Sequence, residues 1–150
     1  MSFAIVMLVL GMSTVLWVFN AVYTYYQQRV FGALALPIIV LCLTIALWAI
    51  LHSVEVAVAS LSLKIAAYHA KYLVIITLPV SWVWFAASSA NMAAWLTRRR
   101  LLLIAVIPAI TALLIVTNPW HHLLWSALVP YQMGEVVVIE KVRGVLGWVF

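Results

Sequence analysis

The sequence predicts an all-α integral membrane bundle: four transmembrane helices, an outer-face loop with a β-like segment, and the stub of a fifth helix. Three observations predict it. Of 150 residues, 69% are hydrophobic and 7% are charged, where a soluble domain carries about a quarter charged residues. Mean hydropathy is +1.23. The acidic residues number 3, all glutamates (Glu55, Glu135 and Glu140). A chain with so few charges cannot coat itself for water, so its solvent is a bilayer. At roughly 20 apolar residues per crossing, four helices with short turns fill a single membrane domain, residues 1–150.

The first span reads as residues 3–26. It closes on Tyr23, Tyr25 and Tyr26, rings that favour the headgroup level, with Gln27, Gln28 and Arg29 beyond. No basic stretch precedes it and no small-residue cleavage site follows, so it reads as a retained helix rather than a signal peptide. A tight turn at Gly32 leads to the second span, 33–57, with Pro37 near its start, where a missing N–H matters least. The third span, 61–90, carries Lys64, Tyr68, His69, Lys71 and Tyr72 in its first half, and Pro79 is expected to kink it. Its small residues, Ala86 to Ala90, suit close helix contact. Trp82 and Trp84, beside Pro79, either line a cavity behind the kink or pack between helices.

Arg98, Arg99 and Arg100 form the one charge run and precede the fourth span, 101–116, which contains Pro108. That span is short, so it either begins among the arginines or stands with little tilt. Asn118-Pro119 is expected to stop the helix. An outer loop, 117–144, follows, with Trp120, His121, His122 and Trp125 suited to an interface and a β-branched run, 135–143, suited to one arm of a hairpin on the membrane surface. Residues 145–150 read as the stub of a fifth helix.

Arg29 and the triple arginine fall on the same side of alternating spans, and positive residues mark the cytoplasm. The N-terminus and the long loop are therefore expected on the outer side of the membrane, opposite the arginines. The net charge of +5 has this topological reading, and nucleic acid is not an expected partner; membrane lipids are. Glycine-rich nucleotide loops, metal-ligand clusters and serine–histidine–aspartate arrangements are missing from the sequence, which points away from an enzyme. Cys42, the 1 cysteine, lies in an apolar run and reads as packing.

Charge inside a span needs a partner or a job. His52 and Glu55 share a face of the second helix, three residues apart. His69 and Lys71 sit near the start of the third, at similar depth. The leading reading is a polar clasp in which Glu55 pairs with Lys64 or Lys71 and the histidines hydrogen-bond nearby. A ligand- or proton-sensing pocket built from the same residues is a second reading. Ligation of haem or a (bacterio)chlorophyll metal by His52, His69 or both is a third, although no cofactor is expected on balance. His121 and His122 point about 100° apart on a helix and so do not chelate one ion together. Arg98–Arg100 read as an anchor for anionic headgroups.

Two stretches, WLTRRRLLLIAVIP at 95–108 and LIVTNPWHHLLW at 114–125, resemble the N-terminal seven-transmembrane region of bacterial sensor histidine kinases. So do ALWAILHSVE at 46–55, the end of that family's second helix, and 72–85 with Pro79, Trp82, Trp84 and Phe85, its third. The extended 136–142 with Gly144 and Trp148 is similar to the hairpin before its fifth helix. The resemblance implies a sensory input domain that carries an outer-face signal inward by helix motion, with no catalytic residue. The family has seven spans and this chain reaches the start of a fifth. Its expected partners are therefore its own C-terminal helices or other membrane subunits. The alternative is an accessory subunit of an energy-converting or light-harvesting complex, holding a haem or pigment.

Overall fold

The structure, a computed structural model, describes residues 2–148. Its helices are α1 (Phe3–Tyr26), the short α2 (Gln28–Phe31), α3 (Ala35–Ala57), α4 (Leu61–Ile75), α5 (Leu78–Ser89) and α6 (Arg98–His121). The segments Phe3–Tyr26, Gln28–Ala57, Leu61–Ser89 and Arg98–His121 are long and apolar enough to cross a membrane. Lipid supplies no partner for a backbone N–H or C=O, so each crossing is helical.

Between α1 and α3, α2 and a 3-10 turn at Gly32–Leu34 reverse the chain; Gly32 takes φ 53°, a left-handed value open to glycine. Helix α3 is the centre of the bundle, packed against α1, α4 and α5. Ala21 of α1 and Ala46 and Ala49 of α3 are buried, and their small side chains let backbones approach closely. Helix α6 rests on α4 and α5 and buries the least of its surface.

Two helices differ from the sequence expectation. The third span is interrupted at Ile76 and Thr77, before the proline, so Pro79 lies in the first turn of α5, where its missing N–H is harmless. The Val74 carbonyl at the break accepts both the Thr77 N–H at 3.1 Å and the Thr77 hydroxyl at 2.7 Å. The fourth helix outruns 101–116 at both ends. It starts at Arg98, capped by Thr97, whose Oγ1 accepts the Arg100 N–H at 3.4 Å. It then passes through Pro119 and ends where His122 turns left-handed at φ 51°. The helix continues two residues beyond Pro119, so Asn118 and Pro119 do not stop it.

Beyond α6 the chain forms an antiparallel hairpin, β1 (Trp125–Met133) and β2 (Val136–Arg143), with Pro130 opposite Ile139 and an irregularity near Trp125. Both strands are edges of a two-stranded sheet, which is why Pro130 is tolerated. Gly134, at φ 66°, makes the tip. The chain then enters a 3-10 turn, Leu146–Trp148, in place of the first turn of a fifth α-helix; Val149 and Phe150 of that stub lie outside the described residues.

Candidate functional site

Glu55 lies on the last turns of α3 and is 0% exposed, the most deeply buried charged group among the described residues. A carboxylate there requires several donors. Its Oε2 accepts from Lys71 Nζ of α4 at 2.5 Å and faces His52 Nδ1, one turn back on α3, at 3.1 Å. Its Oε1 accepts the Ile139 N–H of β2 at 3.1 Å. One carboxylate thus joins α3, α4 and the hairpin. Lys71 also approaches His52 Nδ1 at 3.3 Å and lies over the Tyr68 ring at 5.1 Å from its centre. The His52 ring stacks on Trp48.

Lys64 does a different job from Lys71. Its ammonium donates to the carbonyls of Glu55 at 2.7 Å and Val56 at 3.3 Å, groups the end of α3 leaves without helical partners, and to Val137 O of β2 at 2.9 Å. It is a cation on a helix C-terminus, tied at once to the hairpin. Below this bridge a cavity of about 220 Å³ is bounded by His52, Glu55, Lys71, Met133 and Val138.

The hairpin has three further attachments. At its tip Glu135 Oε2 accepts the Phe3 N–H at 3.1 Å, placing a negative charge on the N-terminus of α1. On one flank Lys141 lies 5.0 Å from the centre of the Tyr72 ring. At its base Trp125 packs against Tyr68, His69 and Tyr72 of α4, while Asn118 of α6 fixes the turn that delivers it. The Asn118 Oδ1 accepts Leu124 N–H at 2.9 Å and Trp125 N–H at 3.3 Å, and its Nδ2 donates to Trp125 O at 2.9 Å. The hairpin is therefore fastened to all four membrane-spanning segments.

A family model described as the N-terminal 7TM region of histidine kinase matches residues 5–150. The chain belongs to that family. It is a multi-pass membrane protein, and the region it represents is the input part of such kinases rather than the catalytic part. Neither curated proteins nor solved structures gave a significant match.

In this histidine-kinase membrane region the other residues singled out from sequence fall in separate places. His52 and His69 do not share a pocket. His52 belongs to the Glu55 cluster, whereas His69 stacks on Trp125 at 5.7 Å and lines a second cavity of about 220 Å³ with Asn118 and His122. His121 is held inside the last turn of α6, its Nε2 2.8 Å from the Thr117 hydroxyl and its Nδ1 accepting Leu123 N–H at 3.0 Å. Among the described residues no group of three or more His, Cys, Asp or Glu side chains converges as a metal site would require. Arg98–Arg100 form the first turn of α6; Arg100 lies over the Trp95 ring and donates to its carbonyl at 2.8 Å.

Three participants have roles that the sequence reading did not give them. Asn118 looked like a helix stop, but its side chain organises the turn. The backbone N–H of Ile139 carries no side-chain signal at all. Gly144 lies so close to the His122 and Leu123 carbonyls that a Cβ there would overlap them.

Proposed function

We propose that this membrane region is the signal-receiving part of a bacterial sensor. Its hairpin and N-terminus face outward across the inner membrane, and displacement of the hairpin is passed to α3 and α4. The observation that carries the reading is the Glu55 carboxylate, bonded at once to α3, α4 and β2. A ligand entering the cavity beneath the hairpin, or drawing the hairpin away from it, changes the partners of Glu55 and with them the relation of α3 to α4. The arginine run on the opposite side supports the orientation by the positive-inside rule. Sidedness is tested by an impermeant maleimide on cells carrying a single cysteine at Gln132 or at Arg99 in a Cys42→Ala background. Labelling at Gln132 alone is expected; labelling at Arg99 alone overturns the orientation. Coupling is tested with nitroxide pairs between the arginine-side ends of α3 and α5. Glu55→Gln is expected to shift their distance, and an unchanged distribution with a displaced hairpin removes the proposed route.

A further inference from the structure

Helices α1, α3 and α4 and the hairpin bound the cavity that holds the Glu55 clasp. Val6 of α1, Val56 of α3, and Val136 and Val138 of β2 give it aliphatic walls, and His52, Glu55 and Lys71 give it one polar end. Those three polar side chains are not equally open. The side chain of Glu55 is 1% exposed, that of Lys71 11% and that of His52 24%. The carboxylate is already taken up by Lys71, His52 and the Ile139 N–H. An occupant therefore meets Lys71 and His52 before it meets any acid.

The buried charges point the same way. Among the described residues they are Lys64, Lys71 and Glu55, so cations outnumber acids. Lys64 gives its hydrogens to the carbonyls of Glu55, Val56 and Val137, and the C-terminal end of α3 offsets only part of its charge. The ammonium of Lys71 carries three hydrogens, and its hydrogen-bond partners are Glu55 Oε2 and His52 Nδ1. Its remaining contact is the Tyr68 ring, a weak acceptor. A buried surplus of positive charge behind open donors is complementary to an anion.

Size and walls narrow the anion. At about 25 Å³ per heavy atom, the share benzene has in a cavity of about 150 Å³, a space of about 220 Å³ takes about nine heavy atoms. Hexanoate and benzoate are of that size. The valines offer no partner to a second charge or to hydroxyls, which disfavours dicarboxylates, sugars and sugar phosphates.

We propose that the cavity binds a small organic monocarboxylate, its carboxylate on Lys71 and His52 and its hydrocarbon body against the valines of α1, α3 and β2. Bound so, the ligand competes with Glu55 for Lys71 and loosens the tie of α4 to α3 and the hairpin. As the signal of the proposed sensor this ligand rests on that reading, but binding and coupling have separate readouts.

The test titrates the full chain, 15N-labelled in phosphatidylcholine nanodiscs, with hexanoate, benzoate and the neutral hexanamide, following the amides of Val138 and Ile139. Both carboxylates are expected to give saturable shifts, with hexanoate about tenfold tighter than hexanamide. Glu55→Gln/Lys71→Met, which removes both charges of the pair together, is expected to abolish that preference. Val138→Phe leaves the charged groups alone and fills the space, and is expected to weaken hexanoate about tenfold. Equal binding of hexanoate and hexanamide overturns the anion site, and so does a cavity that gives no saturable shift and holds water only. Undiminished hexanoate binding in Val138→Phe overturns the cavity as the place. Hexanoate is also expected to shift the nitroxide distance between α3 and α5. Saturable binding with that distance unchanged supports the ligand class and removes the sensory route. A distance that Glu55→Gln shifts, with no carboxylate bound, overturns the ligand class and leaves the sensory reading standing.

Discussion

Glu55→Gln keeps the shape of the side chain and removes its charge, so it isolates what the ion pair does. In the native clasp the carboxylate is fully buried, accepts from Lys71 and the Ile139 N–H, and faces His52 Nδ1. Breaking a buried pair by removing one partner costs about 3–5 kcal/mol, because the surviving charge is left without its counter-charge. Glutamine can still accept from Ile139 N–H, which places this variant near the lower end, at about 3 kcal/mol. Lys71→Met is expected to cost about 4 kcal/mol, since a buried carboxylate is then left with neutral donors and His52. The double variant Glu55→Gln/Lys71→Met removes both charges and is expected to lose no more than either single change, because a buried pair replaced by neutral groups is often close to neutral. The assay is reversible unfolding of the full chain in mixed micelles with increasing SDS fraction, followed by tryptophan fluorescence. A double variant whose loss equals the sum of the single losses would falsify the pairing, since independent sites add.

Asn118→Ala strands the buried N–H groups of Leu124 and Trp125 at about 1–3 kcal/mol each, so the hairpin base is expected to loosen, read as faster hydrogen exchange at Trp125 and Ile139. Gly144→Ala forces a methyl into the His122 and Leu123 carbonyls; the expected result is a lower unfolding midpoint with the same loss of protection in β2, and native protection would show that the backbone gives way freely. Glu135→Gln removes an exposed charge from the N-terminus of α1, worth about 0.5 kcal/mol, so only the amides of the first turn of α1 are expected to exchange faster.

Much of this architecture was legible because lipid imposes a simple rule. The four apolar stretches had to be helices, and their ends carried tyrosines and arginines that mark an interface. The polar residues Glu55 and Lys71 stood out because charge within a span is expensive. The sequence could not choose between Lys64 and Lys71. Both are within a helix turn or two of the right depth, and the choice is made by the end of α3, whose open carbonyls take Lys64. The second arm of the hairpin showed in the valine run 136–138, whereas the first did not, because Pro130 and the polar Ser126 and Gln132 mask its extended character. Histidines matched in depth still ended apart. Depth fixes only one coordinate, and the direction a side chain takes around the helix sent His52 to Glu55 and His69 to Trp125.

The interruption at Ile76 and Thr77 makes the third span a lever of two arms. The arm on the hairpin side, Leu61–Ile75, is 15 residues, and the arm on the arginine side, Leu78–Ser89, is 12. At 1.5 Å per residue these are about 22 Å and 18 Å. A continuous helix transmits rotation and piston motion along its axis but resists bending. A jointed one converts sliding of its upper arm into swing of its lower arm. A swing of about 5° carries the far end of an 18 Å arm by roughly 1.5 Å, the size of helix shift on which switching proteins commonly run. In the proposed sensor, the joint near the middle of the third span would be where the kind of motion passed along it changes.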